Sequence, residues 1–450
     1  MGRRFYLIGH PLGHSLSPEI HAAVMRMAGV DGSYELLDTP PEGVPETVRR
    51  LLRQSDGFNV TIPHKKAVIP LLDGVSEAAR RCNAVNTVFR GRGFNTDTVG
   101  FASASLHLRG ASVLLLGTGG VADTMAAESV AAGASALAVS SRSAETARSF
   151  ISSLRARFPD SRCEFSAVES GADALAAAVA RCSVLLNGTP VGMWPRAGGV
   201  PVPPESMHPA MEVFDPVYCP TPTRLVLAAR RAGARAVGGL PMLVHQAVAA
   251  QKIWNPGLDL DAMAIAESVI PELLADLRRK NPVKILLTGF MGAGKTTVGR
   301  ILAARLGIDF VDLDSEIERA AGSSISSVFA SSGEEGFRAL ETATARRVFR
   351  DGPSAVVAGG GGFPTREENR TLTRSENVLV FLLDAPFDLV WNRIRGDSSR
   401  PLSRSREETA ALFERRAPVL RAFCDAAVSC ADHSSPDSVA AAAAALLSPA

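Results

Sequence analysis

The chain has 450 residues, with 48 Lys and Arg against 46 Asp and Glu, a formal net charge of +2 at pH 7. Hydrophobic residues make up 46% and charged residues 21%, the balance of a soluble globular chain long enough for about three domains. A nearly neutral chain with scattered arginines excludes a basic nucleic-acid surface or a polybasic membrane patch as its main business. The N-terminus opens on an apolar stretch of only Phe5 to Ile8, short of the roughly 7–15 residues of a signal peptide. No apolar run approaches the roughly 18 residues of a membrane span. Six cysteines, at 82, 163, 182, 219, 424 and 430, show no C-x-x-C pair. They read as reduced, buried thiols of a cytoplasmic protein.

Short apolar strands alternate with helical patterns, the signature of α/β domains with mostly parallel sheets. The first strand is predicted at Arg4–Ile8. Ser15 and Ser17 follow, two hydroxyls before Pro18 that can point together at a polar ligand or cap a helix. Then come Asn59-Val60-Thr61-Ile62-Pro63-His64-Lys65, Ala84-Val85-Asn86-Thr87 and Asn95-Thr96-Asp97-Thr98-Val99-Gly100. A second strand, Ser112–Leu116, runs into Gly117-Thr118-Gly119-Gly120-Val121-Ala122. In that pattern glycines let backbone N–H groups reach a pyrophosphate at a helix N-terminus. The next strand, Leu137–Ser140, leads to Ser141-Arg142-Ser143. NAD enzymes place a carboxylate there for the ribose hydroxyl. Arg142 and its flanking hydroxyls instead suit a 2′-phosphate. A strand at Ser183–Leu186 precedes Asn187-Gly188-Thr189-Pro190-Val191-Gly192-Met193. Asp215-Pro216-Val217-Tyr218 and Gly238-Gly239-Leu240-Pro241-Met242-Leu243-Val244-His245-Gln246-Ala247 complete this half.

The sharpest boundary is Leu277–Pro282. Arg278, Arg279 and Lys280 sit where a helix C-terminus favours cations, and Asn281-Pro282 stops the helix. A new strand is expected from Val283. Its core, Lys284–Thr288, runs into Gly289-Phe290-Met291-Gly292-Ala293-Gly294-Lys295-Thr296, a Walker A loop. There backbone N–H groups cradle phosphates, Lys295 reaches the β/γ oxygens and Thr296 ligates Mg²⁺. Phe310-Val311-Asp312-Leu313-Asp314 is read as a strand end with both carboxylates on one face. Gly336-Phe337-Arg338-Ala339-Leu340-Glu341, Gly359 to Gly362, a strand at Val378–Leu382, Arg400-Pro401-Leu402 and Arg416-Ala417-Pro418 follow. The Ala-rich stretch near Ala440 reads as a final helix.

Taken in order, the motifs of residues 4–277 resemble the shikimate dehydrogenase family. The resemblance implies that Ser15, Ser17, Thr61, Asn86, Asp97, Tyr218 and Gln246 contact shikimate and that Lys65 and Asp97 form the catalytic pair. It also implies that Gly117, Gly119, Gly120, Ser141, Arg142, Thr189, Met193 and Gly239 line an NADP(H) site. Two departures stand out: Ala22 replaces a frequent Asn, and Ser141-Arg142-Ser143 replaces a frequent Asn-Arg-Thr.

Residues 283–430 resemble shikimate kinase. That implies ATP held by Gly292, Ala293, Gly294, Lys295, Thr296 and Thr297, with Arg393 near the adenine. Mg²⁺ would lie at Thr296 and Asp312. Asp314, Arg338, Gly360, Gly361 and Arg416 would bind the acceptor, and Lys295, Asp314 and Arg400 would act in catalysis, Arg400 from a closing lid. Leu420 stands where a Tyr is usual. The expected architecture is a substrate domain (1–100 plus 238–280), a Rossmann NADP domain (101–237) and a P-loop kinase domain with a parallel sheet (282–450). The expected reactions are NADPH-dependent reduction of 3-dehydroshikimate to shikimate, then ATP-dependent phosphorylation of shikimate. Three rivals remain: a quinate/shikimate dehydrogenase, another small-molecule kinase in the second half, and a fusion with one non-catalytic, regulatory half.

Overall fold

The computed structural model describes residues 2–13, 15–169, 171–375, 377–395 and 405–448. Three sheets organise them. The first contains β1 (Arg3–Gly9), β2 (Gly32–Asp38), β3 (Gly57–Val60), β4 (Gly74–Val75), β5 (Thr87–Phe89) and β6 (Arg92–Phe94), in the order β2-β1-β3-β5-β6-β4. It is mixed rather than parallel, because β5 runs antiparallel to both β3 and β6. The β5–β6 hairpin turns on Arg90 (φ 47°) and Gly91 (φ 76°), the pair of positive φ angles that matches strand twist in a two-residue turn.

The second sheet is wholly parallel: β7 (Ser112–Leu116), β8 (Ala136–Ser140), β9 (Glu164–Ala167), β10 (Val184–Asn187), β11 (Glu212–Asp215) and β12 (Arg235–Gly238), ordered β12-β11-β10-β7-β8-β9. The direction of winding reverses between β7 and β10, where open α/β sheets bind ligands beyond the strands' carboxyl ends. The third sheet contains β13 (Lys284–Thr288), β14 (Asp309–Asp312), β15 (Ala355–Ala358), β16 (Val378–Asp384) and β17 (Ala426–Ser429), ordered β14-β15-β13-β16-β17 and also parallel. Its central strands are buried along almost their whole length, as helices on both faces require. Each fully buried Leu or Phe there contributes about 1.5–3 kcal/mol.

The predicted strands lie where expected, with ends shifted by a residue or two. β13 begins at Lys284, one residue after Val283. The helix Ala262–Lys280 carries Arg278, Arg279 and Lys280 in its last turn, and only three residues separate it from β13. Ser354 pins this junction: its Oγ donates to Arg278 O at 2.6 Å and accepts from Val283 N at 3.0 Å. The Ala-rich segment forms the helix Pro436–Leu446, started by a Ser435–Ser438 capping box. No helix among the described residues is long and apolar enough to cross a membrane.

Candidate active sites

The first site forms where β1, β3 and β6 end and β5 begins. Lys65 follows β3, and its Nζ donates to Asp97 Oδ2 at 2.5 Å, with both side chains largely buried. Asp97 opens the short helix Asp97–Ala102. Its other oxygen accepts from Asn86 Nδ2 at 2.8 Å, and Asn86 Oδ1 accepts from the Thr96 backbone at 2.7 Å. Thr96 Oγ1 reaches Gln246 Oε1 at 3.5 Å. Lys65, Asp97, Asn86 and Gln246 are thus brought into one polar cluster. Ser15 Oγ donates to Ser17 Oγ at 3.1 Å and accepts from Ser17 N at 3.2 Å. The helix Ser17–Ala28 has Leu16 as its N-cap, which makes no side-chain cap bond, and Ser15 Oγ takes the helix's first N–H instead. Thr61 lies just past β3, its methyl against Gly9. Tyr218 packs against the core that holds Leu16 and Leu240, and burial pushes its phenol up to about 12.

Three residues that the sequence reading gave no role brace this cluster. Tyr34 OH donates to Asn59 Oδ1 at 2.8 Å, and Asn59 Nδ2 donates to Asn86 O and Thr87 Oγ1, both at 2.9 Å. His21 stacks on Tyr34 with ring centroids 4.1 Å apart. Burial lowers its imidazole to about 3, so the ring is neutral. Ala22, beside it, is exposed.

The glycine loop closes over the lysine. A Cβ on Gly120 would lie 3.5 Å from Lys65 Cδ, so the lysine stem runs beside the start of the helix Gly120–Ala131. Gly117 has φ +87°, and the same construction there would lie 2.8 Å from Gly188 O and 3.0 Å from Thr189 Cγ2. The loops after β7 and β10 therefore meet at the reversal point of the sheet. Thr189 is held by Asn187, which bonds the buried Asp215. Burial raises the Asp215 carboxyl to about 6. Arg142 and Met193 are exposed, and Ser141 Oγ donates to Ser143 O at 2.6 Å. Gly239 opens the helix Gly239–Trp254 that follows β12. A Cβ there would fall 2.0 Å from Pro216 O, so a close helix-to-turn approach by itself demands glycine. The donor geometry fits a dinucleotide: a helix N-terminus, a positive-φ glycine and an exposed guanidinium past the second strand.

The second site gathers at the carboxyl ends of β13, β14 and β15. Gly292 and Gly294 take φ +81° and +93° in the loop before the helix Lys295–Leu306. Lys295 Nζ donates to Gly289 O at 3.0 Å and Phe290 O at 3.2 Å. Thr297 is exposed. Arg393 Nη1 donates to Gly292 O at 3.1 Å, which sets it on the loop. Thr296 Oγ1 donates to Asp312 Oδ2 at 2.9 Å. Two hard oxygens so close suit Mg²⁺, whose remaining ligands are water and phosphate oxygens.

The carboxylate pair departs from the strand reading. Asp312 ends β14, but its Oδ1 accepts from Asp314 N at 3.1 Å and caps the helix Leu313–Ala321. Asp314 therefore stands in a helix's first turn, not at an alternate strand position. Burial, and then Asp312, raise its carboxyl above the usual range.

Arg338 is buried and pairs with the buried Glu341 at 2.8 Å. The glycine run wraps this pair. A Cβ on Gly360 would lie 2.6 Å from Glu341 Oε1 and 3.8 Å from Asp314 Oδ1, and one on Gly362 would lie 2.5 Å from Arg338 Nη2. Gly361 packs against Gly289 O and Met291 N of the phosphate loop. Burial lowers Arg416, and the nearby Arg338 guanidinium lowers it further. Arg400 lies outside the described residues.

Comparisons with known proteins match this geometry. A family model for the shikimate dehydrogenase substrate binding domain matches residues 7–88, and one for shikimate kinase matches residues 291–447. A shikimate dehydrogenase (NADP(+)) of Methanothermobacter thermautotrophicus is 38% identical over 266 residues, 56% of this chain and 92% of that protein. One from Rubrobacter xylanophilus is 39% identical over 284 residues, 59% and 95%. The chain belongs to the shikimate dehydrogenase family. A shikimate kinase domain follows in the same polypeptide.

Solved structures agree on the dehydrogenase part. The Thermus thermophilus shikimate 5-dehydrogenase in complex with NADP(H) and shikimate has a TM-score of 0.52 at 34% identity, covering 60% of this chain and 98% of its own. A chorismate mutase/shikimate 5-dehydrogenase fusion protein from Clostridium acetobutylicum has a TM-score of 0.55 at 31% identity, covering 62% and 99%. In the kinase part, Leu420 lies buried beside Phe363 and Leu286 in the core, so the position usual for Tyr serves packing here. Glu341 is the residue that the sequence reading quoted and left without a role. Its spacing of three from Arg338 on a helix is the signal that could have found it.

Proposed function

We propose that this bifunctional enzyme runs two consecutive steps of the shikimate pathway: NADPH-dependent reduction of 3-dehydroshikimate to shikimate, then ATP-dependent phosphorylation of shikimate to shikimate 3-phosphate. The observation that carries the reading is the buried Lys65–Asp97 pair with the lysine stem against Gly120. It sets an ammonium between a polar cluster and a dinucleotide loop. The domains are residues 1–100 with 238–280 for substrate, 101–237 for NADP(H) and 282–450 for the kinase. Its place is the cytoplasm, supported by six buried cysteines that form no disulfide.

NADPH, when bound, supplies the hydride. Lys65 stabilises negative charge developing on the carbonyl oxygen and delivers the proton that completes the hydroxyl. Asp97 orients Lys65 and, with Asn86, Thr61, Gln246, Ser15, Ser17 and Tyr218, binds the ring hydroxyls and carboxylate. Arg142 with Ser141 selects the 2′-phosphate, and Gly117, Gly119, Gly120, Thr189 and Met193 line the cofactor. Gly239 joins that lining, and its missing side chain lets the chain pass close to Pro216 O.

In the kinase part, Gly292, Ala293, Gly294, Lys295, Thr296 and Thr297 hold the ATP phosphates, with Arg393 beside the base. Thr296 and Asp312 hold Mg²⁺. Asp314 positions the acceptor hydroxyl, Arg338 and Arg416 grip the carboxylate, and Gly360 and Gly361 give backbone contacts. Arg400 is assigned to the lid from the resemblance. The test is direct. The purified chain should oxidise shikimate with NADP⁺ and, separately, phosphorylate it with MgATP. Failure of either reaction, or preference for quinate, overturns that half of the reading.

A further inference from the structure

The helix Arg224–Arg231, between β11 and β12, belongs by sequence to the dinucleotide-binding unit, and Leu225, Val226 and Ala229 pack into that unit's core. Its other face does something else. The last carbonyls of any helix lack intrahelical partners, and the helix dipole favours cations beside them. Three arginines of this one short helix each meet the C-terminal end of a different kinase helix. Arg224 Nη2 donates to Thr373 O at 2.9 Å, in the last turn of Glu367–Ser375, and to Val378 O at 2.5 Å. Arg230 Nη1 donates to Leu446 O at 2.8 Å and Ser448 O at 2.9 Å, at the end of Pro436–Leu446. Arg231 donates to Arg421 O and Cys424 O, both at 2.6 Å, at the end of Arg406–Phe423.

Apolar packing accompanies these bonds. Leu227, between the arginines, is fully buried in the kinase core with Ile285, Phe381 and Val428. Arg224 Nε also lies 3.6 Å from the buried Asp425, which accepts from Arg374 and from Val380 N. Arg224 Nη1 reaches back to Gly198 O at 3.3 Å. A Cβ on Gly198 would fall 2.2 Å from Arg374 O, so the loop carrying it is pressed against the kinase helix.

We propose that this helix is a docking element whose partner is the chain's own kinase domain, so that the two enzymes unfold as one cooperative body rather than as two tethered ones. Its apolar face serves one core, Leu227 serves the other, and the arginines satisfy three helix ends.

The test is calorimetry on the full chain with NADP⁺ alone or MgADP alone. The intact protein should show a single unfolding transition, raised by several degrees by either ligand at about 100 times its Kd. In the double variant Arg224→Met with Leu227→Ser, that transition should split in two, NADP⁺ raising only one and MgADP only the other. Two transitions in the intact protein, each answering to one ligand, would overturn the proposal, and that measurement needs no variant to fold. A double variant that still melts in one step raised by both ligands would overturn it equally.

Discussion

The two active sites differ in how their charges are placed. In the dehydrogenase site the cation proposed to react is directed at its proposed partner, Lys65 to Asp97, and a second layer of Asn86, Asn59 and Tyr34 fixes that carboxylate. In the kinase site the cations are bonded elsewhere. Lys295 donates to carbonyls of its own loop, and Arg338 is spent on Glu341. The lesson is chemical. A proton donor for an uncharged carbonyl oxygen has to be set before substrate arrives, whereas phosphates carry enough charge to draw Lys295 off backbone carbonyls.

Five measurements break or sharpen that contrast, from the largest effect down. Lys295→Ala should cut phosphorylation by about 10³-fold or more, the scale at which a cation on the transferring phosphoryl matters, and leave shikimate oxidation intact. Lys65→Ala should cut dehydrogenase turnover by about 10²–10⁴ with the kinase rate unchanged. If both lesions crossed over to the other activity, the sites would not be independent.

Arg338→Ala should raise the kinase KM for shikimate by about 10–100-fold, the worth of a hydrogen bond to a charged group, with KM for ATP unmoved. Equal loss on both substrates would mean that the Glu341 pair is purely structural. By the same scale, Arg142→Ala should weaken NADPH about 10-fold or more and barely alter NADH.

The smallest effect, near pH 6, is on stability. Folding holds the His21 imidazole near 3, against 6.5 when free. Between those values the unfolded chain binds a proton that the folded chain does not. Stability is therefore complete above about pH 6.5 and is lost as pH falls. The loss is about 1 kcal/mol at pH 6 and grows by about 1.4 for each further unit. His21→Gln should flatten the fall of the urea midpoint between pH 6.5 and 4, and an unchanged slope would assign the acid limb to other groups.

What the sequence disclosed and what it hid have a common cause. Contiguous motifs were legible because backbone chemistry imposes them: a phosphate loop needs its glycines, and the Lys65 and Asp97 segments each travel as one short phrase. Asp314 was misread as a strand residue because Asp312, its neighbour but one, caps a helix that starts there. Tyr34 could not be found, since its link to Asn59 exists only through the pairing of β1 with β2 and β3. The docking arginines were hidden most completely. Arg224 and Arg230 look like solvated charges, and their acceptor carbonyls lie 149–218 residues further along the chain.

That helix has a consequence in heredity as well as in mechanics. Lesions at Lys65 and Lys295 disable separate steps, so two defective chains in one cell should make good each other's loss. Lesions among Arg224–Arg231 strike the wall common to both enzymes. Alleles there that weaken both halves at once should behave as a third class, rescued by neither, and Arg224, Leu227, Arg230 and Arg231 should answer to two selective pressures at once.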